Sequence, residues 1–255
     1  MDRRNESLGR YALAVLAHLG LIVAWYLVVK VGHIPRFVLP SPFEAAAALG
    51  DGSYDWWGNA VVTLTEIFGG YFLALATGVV LALAFSWSKL LEALFMPLLV
   101  SLNMIPKVAL GPIIIVWFKY GILPNTLIAF SICLFPILLT TARGLREVEP
   151  ELLDLVRTLR GSRWQLFTKI QLPGALPHLL SGMKVAVVLA VAGAIVGEFL
   201  GSDRGLGYLM LQVQVTLDTP AMLMAVVLIT LIGVVLYGLV LGLERWLIPR
   251  DARVG

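Results

Sequence analysis

Few residues of this chain could do chemistry, and the first group of them lies inside apolar runs. Lys107 stands there, with Ser101 and Asn103 on neighbouring turns and the carboxylates Glu66 and Glu198 in other runs. An ammonium facing lipid at membrane depth costs at least ~2.5 kcal/mol, so Lys107 must face a polar path or pair with a carboxylate. Two readings follow. Lys107 is an electropositive element that attracts an anionic solute, with Ser101, Asn103 and Glu198 along the same path, or it forms a structural ion pair with Glu66 or Glu198. Polar residues of this kind also bridge helices without binding anything. His18, His33 and His178 are scattered, with no Cys or carboxylate at metal spacing, so neither a metal site nor a cofactor is expected. The lone Cys133 sits in an apolar run and reads as a small packing residue. No catalytic constellation is present, and no GxxxxGK[ST] nucleotide-binding motif appears.

The second group fills 143–177, the longest polar interruption of the sequence, RGLREVEPELLDLVRTLRGSRWQLFTKIQLPGALP. Val148, Leu152, Leu155, Val156 and Leu159 repeat at the spacing of one helical face, and Glu147, Glu151, Asp154, Arg157 and Arg160 occupy the others. Gly161 breaks this pattern. Ser162 and Gln165 then form a capping-box signature for a second short helix, which carries Trp164, Phe167 and Ile170 and is expected to stop before Pro173. The stretch therefore reads as helix, turn, helix with an exposed apolar ridge. Such a ridge suits a docking partner, or else an amphipathic helix lying on lipid headgroups. A third feature, GSDRGLGYL, carries Gly201, Gly205 and Gly207 and reads as a loop, either an external gate or a simple turn.

The elements that position these residues are apolar. The chain has 255 residues, of which 59% are hydrophobic and 14% charged, with a mean hydropathy of +0.90. Soluble domains carry about 25% charge, so this is a polytopic membrane protein. Six spans are expected at about 11–30, 61–86, 91–118, 122–142, 178–200 and 222–247, with Pro106 and Pro112 bending or interrupting the third. The first run is long enough to span and lacks a small-residue cleavage site, so it reads as a helix rather than a signal peptide. Between the first two spans, Ser41 and Pro42 open a short helix, and Trp56-Trp57 reads as an interfacial anchor. With the N-terminus inside, the inner segments hold thirteen basic residues: Arg3, Arg4, Arg10, Lys89, Arg143, Arg146, Arg157, Arg160, Arg163, Lys169, Arg245, Arg250 and Arg253. The outer loops hold only Arg36, Lys119 and Arg204. The bias predicts that both termini and the polar loop face the cytoplasm. The formal charge of +3 is modest, and no nucleic-acid partner is expected.

The polar loop also resembles the EAA loop of permease subunits in binding-protein-dependent ABC importers. In that motif an acidic residue and two alanines precede a glycine, a distal isoleucine and Leu-Pro. Asp154, Leu155 and Val156 fall on the leading positions, Arg160 on the glycine, Ile170 on the isoleucine and Leu172-Pro173 on the end. Gly161 stands one residue past the expected glycine, which leaves two registers for the turn. FVLPSPFEAAAAL, LGPIIIVWFKYG, LPGALPHLLSGMKVA and GEFLGSDRGLGYLM resemble, in order, segments of the subgroup that imports nitrate, taurine, alkanesulfonates, bicarbonate and pyrimidine or other vitamin precursors.

The resemblance implies an all-α polytopic membrane protein with a type I ABC importer permease-like fold, residues 1–255 forming one permease domain of six transmembrane helices. It implies that 143–177 carries a cytoplasmic coupling helix, with Asp154, Leu155, Val156, Arg157, Leu159, Arg160 and Gly161 facing the ATPase. Arg160 either pairs with an acidic residue of that ATPase or snorkels. The implied partners are a cytoplasmic ABC ATPase dimer, a periplasmic or lipid-anchored solute-binding protein, a second permease subunit that is a copy of this chain, and membrane lipid. The implied location is the bacterial cytoplasmic (inner) membrane. The solute is expected to be small, either an anion such as nitrate, sulfonate or carboxylate, or a vitamin precursor. The alternative is a self-sufficient secondary transporter or channel, which would show internal repeats or more membrane acids.

Overall fold

The computed structural model describes residues 2–147 and 150–248. Val148, Arg250 and Arg253 lie outside these residues, and the side chains of Arg3, Arg4, Arg10 and Arg157 lie outside the description as well. Every regular element among the described residues is helical. In chain order these are α1 (Asp2–Val31), α2 (Pro42–Ala47), α3 (Trp56–Trp87), α4 (Lys89–Met104), α5 (Lys107–Phe118) and α6 (Ile122–Gly144). They continue as α7 (Pro150–Thr158), α8 (Arg163–Leu166), α9 (Leu172–Gly201), α10 (Leu206–Val215) and α11 (Thr219–Leu247).

Among the described residues, four helical stretches are long and apolar enough to cross a membrane: Gly52–Trp87, Ile122–Gly144, Arg163–Gly201 and Thr219–Leu247. In α1 the corresponding apolar stretch is the shorter Val15–Val31. The run expected as the third span is instead two helices, α4 and α5, meeting at 86°. Six expected spans thus resolve into four single helices, one broken pair and the apolar part of α1. The break has a local cause. Ile105 precedes Pro106, whose ring drives it out of the helical region, and its ψ is 125°. Pro112, also expected to disturb this span, is accommodated inside α5.

Two further boundaries differ from the sequence reading. The helix that starts at Arg163 does not end before Pro173. It passes through a π turn, Phe167–Gln171, into α9. Pro173 follows directly on this π turn, whose wider spacing accommodates the local shift in register at the proline. The GSDRGLGYL stretch is not one loop either, because helix α10 begins at Leu206.

The chain forms two compact units, Met1–Trp56 with Leu209–Leu228, and Trp57–Tyr208 with Ile229–Gly255. In the first, Ser41 caps α2 through a reciprocal box. Its hydroxyl accepts from the Glu44 N–H, and Glu44 Oε2 accepts from the Ser41 N–H at 2.7 Å. Trp25 Nε1 donates to Pro40 O at 3.0 Å, and Trp56 Nε1 to Ala48 O at 3.1 Å. Leu209, Val213 and Ala221 bury together, with Tyr54 and Trp56 packed against them. The Tyr54 hydroxyl donates to Asp218. The expected aromatic pair therefore divides, since Trp56 packs and Trp57 is 78% exposed.

In the second unit α6 and α9 form the most extensive helix contact. They approach closely because α9 carries glycine at the crossing. A Cβ on Gly193 would stand 2.8 Å from Ala129 Cα, and one on Gly197 2.9 Å from Asn125 Cα. The core beside this crossing includes Ile67, Ala74, Cys133, Ile137, Leu180 and Ala190. Cys133 is fully buried, its thiol donating to Ala186 O at 3.2 Å, as expected of a packing residue. A second cluster gathers Ala82 and Phe85 of α3, Leu138 and Ala142 of α6, Leu145, Phe167 of the π turn and Ala175 of α9.

Candidate functional site

Pro150 opens α7, and the helix presents Leu152 and Leu155 to solvent; Leu159 follows it, 72% exposed. Two residues past the helix, Arg160 has a φ of 51°, in the left-handed region. The Gly161 N–H then reaches back to Val156 O at 2.8 Å, closing the turn in the manner of a Schellman stop. Arg160 thus occupies the left-handed position at which glycine is usual, and the turn keeps the register expected at residue 160. Gly161 serves a different need: a Cβ there would stand 2.7 Å from Val156 Cγ1. Ser162 opens α8 with the anticipated capping box, its N–H donating to Gln165 Oε1 at 2.8 Å.

The root of this loop is pinned by charge. Arg143 Nε donates to Glu147 Oε1 at 2.8 Å, and His178 Nε2 lies 2.9 Å from Glu147 Oε2. The hydrogen bond from Arg143, with the nearby positive charge, holds the Glu147 carboxyl below the usual carboxylate range. Arg146 pairs with Glu92 in the first turn of α4. On the other side of the loop, Trp87, Trp164 and Phe167 meet ring against ring, with centroids 5.5–6.2 Å apart. A cavity of about 440 Å³ lies against them and against Arg163 and Gln171.

The residues expected along a solute path do not all meet. Asn103 and Lys107 flank the break between α4 and α5 and line a cavity of about 410 Å³ with Pro106, Ile132, Phe135 and Leu189. Lys107 Nζ donates to Asn103 O at 2.6 Å, Leu102 O at 3.2 Å and Asn103 Oδ1 at 3.3 Å. The ammonium therefore caps the carbonyl end of α4, where the helix dipole favours a cation, and is not bonded to Glu66 or Glu198. Ser101 is exposed and donates to Pro97 O at 2.9 Å, within its own helix.

Glu198 belongs to a different, enclosed group. Its Oε1 accepts from the Thr63 hydroxyl at 2.6 Å, and its Oε2 from the Gly207 and Tyr208 N–H groups. Asn59 Oδ1 accepts from the Gly205 N–H at 2.7 Å, and Thr63 Oγ1 from the Leu206 N–H at 2.9 Å. Four N–H groups at the start of α10, orphans of any helix N-terminus, are thus satisfied by side chains of α3 and α9. Gly205 makes this possible: its φ is 115°, and a Cβ there would overlap the Glu198 carboxyl. Glu66, fully buried nearby, accepts from Asn125 Nδ2 at 2.8 Å through Oε1, while its Oε2 has no hydrogen-bond partner.

Sequence reasoning missed Thr63 and Asn125, whose types carry no signal inside an apolar run. It also missed a buried ion pair. Lys184 of α9 and Glu244 of α11 meet at 3.0 and 3.2 Å, with side chains 15% and 3% exposed. Here a signal existed, because both are charges within apolar stretches, the same criterion that singled out Lys107.

Comparison with known proteins adds what one chain cannot. Residues 74–250 match the family described as the binding-protein-dependent transport system inner membrane component. The chain belongs to this family. A probable ABC transporter permease protein of Haemophilus influenzae is 35% identical over 85% of this chain and 89% of its own length. The formylaminopyrimidine transport permease protein of Halalkalibacterium halodurans is 32% identical, covering 92% and 94%. The riboflavin transport system permease protein of Chloroflexus aurantiacus is 35% identical, covering 91% and 87%. An inward-facing structure of the MetNI methionine ABC transporter shares the fold, with a TM-score of 0.52 over 74% of this chain and 94% of that one, at 20% identity. The protein is therefore a multi-pass inner-membrane permease of an ABC importer with the type I permease fold, and it works with ATPase and permease subunits. ATP is hydrolysed on the separate ATPase subunit.

Proposed function

We propose that the permease conducts a small solute through a path that includes the cavity at the α4–α5 break, driven by an ATPase that docks on α7. The observation that carries this reading is the apolar ridge of Leu155 and Leu159, 52% and 72% exposed, immediately before the closed turn at Arg160. Exposed leucines on a short helix between membrane spans are costly in water unless a groove covers them. Val156 and Gly161 set the turn, and Asp154 and Arg160 supply polar contacts at the rim. The bias of basic residues supports a cytoplasmic loop and cytoplasmic termini.

The second permease subunit is a copy of this chain, and an external binding protein delivers the solute. Asn103 and Lys107 give the cavity a cationic wall, which favours an anionic solute. Relatives named for formylaminopyrimidine, riboflavin, aliphatic sulfonates and bicarbonate differ widely in size, which supports assigning most of the selection to the binding protein. Outward and inward openings alternate as the ATPase pulls the two docked helices together and releases them.

The test is co-purification in mild detergent with candidate ATPase subunits, together with a Leu155→Asp/Leu159→Asp variant. We expect the parent chain to retain an ATPase with measurable ATP turnover, and the variant to lose it while remaining monodisperse. Retention of the ATPase by the variant would overturn α7 as the docking element.

A further inference from the structure

We propose that the Arg146–Glu92 ion pair is the link through which movement of the coupling loop reaches α4, and hence the solute cavity. The inference rests on the docking role of α7 argued above and names the residues that carry its motion onward. Three observations converge on it. First, α4 is lightly held: it contains no buried residue, and Leu90, Leu94, Leu98 and Leu102 lie on its open surface. Met96 and Leu99 seat it, half-buried, against the cluster around Phe85, Leu138 and Phe167. Second, its first turn is tied to the loop by charge, Glu92 to Arg146, just beyond the end of α6. The adjacent Glu147 is itself fastened to Arg143 and to His178 of α9. Third, the far end of α4 is the cavity wall, where Asn103 and the carbonyl of Leu102 hold Lys107.

A helix with little buried contact and a fixed point at each end moves with those points. Glu92 is the end nearest the loop, its side chain 23% exposed and that of Arg146 46%, so solvent screens the pair in part. When the loop shifts, Arg146 draws the first turn of α4, and the displacement appears at Asn103 and Lys107. Arg146 and Glu92 are positioning residues in this account; neither touches solute nor ATPase. Glu147 and His178 keep the two ends of the loop together so that the shift is not dissipated in the loop itself.

The experiment uses the whole complex of permease and ATPase in lipid nanodiscs. A Cys133→Ser background carries Met104→Cys, a cavity-lining position that is 73% exposed, and a water-soluble maleimide reports its accessibility. Labelling rates are compared without nucleotide and after trapping with ATP and vanadate. We expect the rate to differ at least about fivefold between the two states in the parent. Glu92→Gln and Arg146→Gln should abolish that difference while ATPase association and ATP turnover persist, and the charge-swapped Glu92→Arg/Arg146→Glu should restore it. A difference that persists in both single variants, or that the swap fails to restore, would overturn the link. Loss of ATPase binding in the single variants alone would also overturn it, assigning the pair to docking. Failure of the parent itself to bind an ATPase would instead remove the docking reading, and this link with it.

Discussion

Glu198 is fully enclosed, with both oxygens filled by donors from α3 and α10, whereas Leu159 holds most of an apolar side chain in the open. The two regions invert the usual arrangement: polar atoms inside, leucines outside. At Glu198 the chain answers its own polar groups, because an unanswered one in a membrane interior has no water to turn to. At α7 the chain leaves apolar surface unanswered, and in a family that works with an ATPase this is the surface we propose a partner covers. Enclosure marks what a single chain must stabilise alone. Exposure at α7 marks what the proposed assembly would complete.

The comparison breaks or sharpens through stability measurements in detergent, with unfolding followed by titration with a denaturing surfactant. The largest effect is expected from Lys184→Met, which strands a Glu244 carboxylate that is 3% exposed. Breaking a buried pair from one side costs about 3–5 kcal/mol, and Lys184→Met/Glu244→Leu should recover most of that loss. Next is Glu198→Ala, which orphans the Gly207 and Tyr208 N–H groups. A loss of about 1–3 kcal/mol is expected, with faster hydrogen exchange concentrated at the start of α10. An unchanged α10 would mean that this cap is dispensable.

Arg160→Gly should act in the opposite direction. A non-glycine residue in the left-handed region costs roughly 1–2 kcal/mol, part of which glycine returns through its freer unfolded chain. A net gain of up to about 1 kcal/mol is expected, and a loss would mean that the Arg160 side chain contributes contacts of its own. The smallest effect belongs to Leu155→Asp/Leu159→Asp. Each surface change should alter the stability of the isolated permease by no more than about 0.5 kcal/mol, although the same variant should lose its ATPase. A large loss of stability there would erase the contrast between the two regions.

Much of the architecture was legible because hydropathy and local signals suffice for it. The apolar runs located the α3, α6, α9 and α11 helices, and the short helix opened at Ser41 and the capping box at Ser162 appear as read. Pro106 breaks the third run as expected, but the 86° angle was not legible, since a proline states where a helix yields and not which way the chain then turns. The end expected before Pro173 failed for a related reason: a proline in the first turn of a helix and one that ends a helix look alike in sequence. Lys107 was rightly singled out as a cation needing partners. Those partners are carbonyls and an amide four and five residues away, and a search for carboxylates passes over them.

By itself the sequence determined the membrane class, the helical runs and the position of the polar helix–turn–helix loop, because apolar length, charge placement and cap residues act over a few turns of chain. Only the tertiary structure decided which distant polar groups meet. Glu198 with Thr63 and Gly207, Lys184 with Glu244, and Arg146 with Glu92 are pairings between helices. Such pairings depend on which faces turn toward one another, and that is set by close-packed small residues such as Gly193 and Gly197. A buried charge announces that it needs a partner; only the fold names the partner.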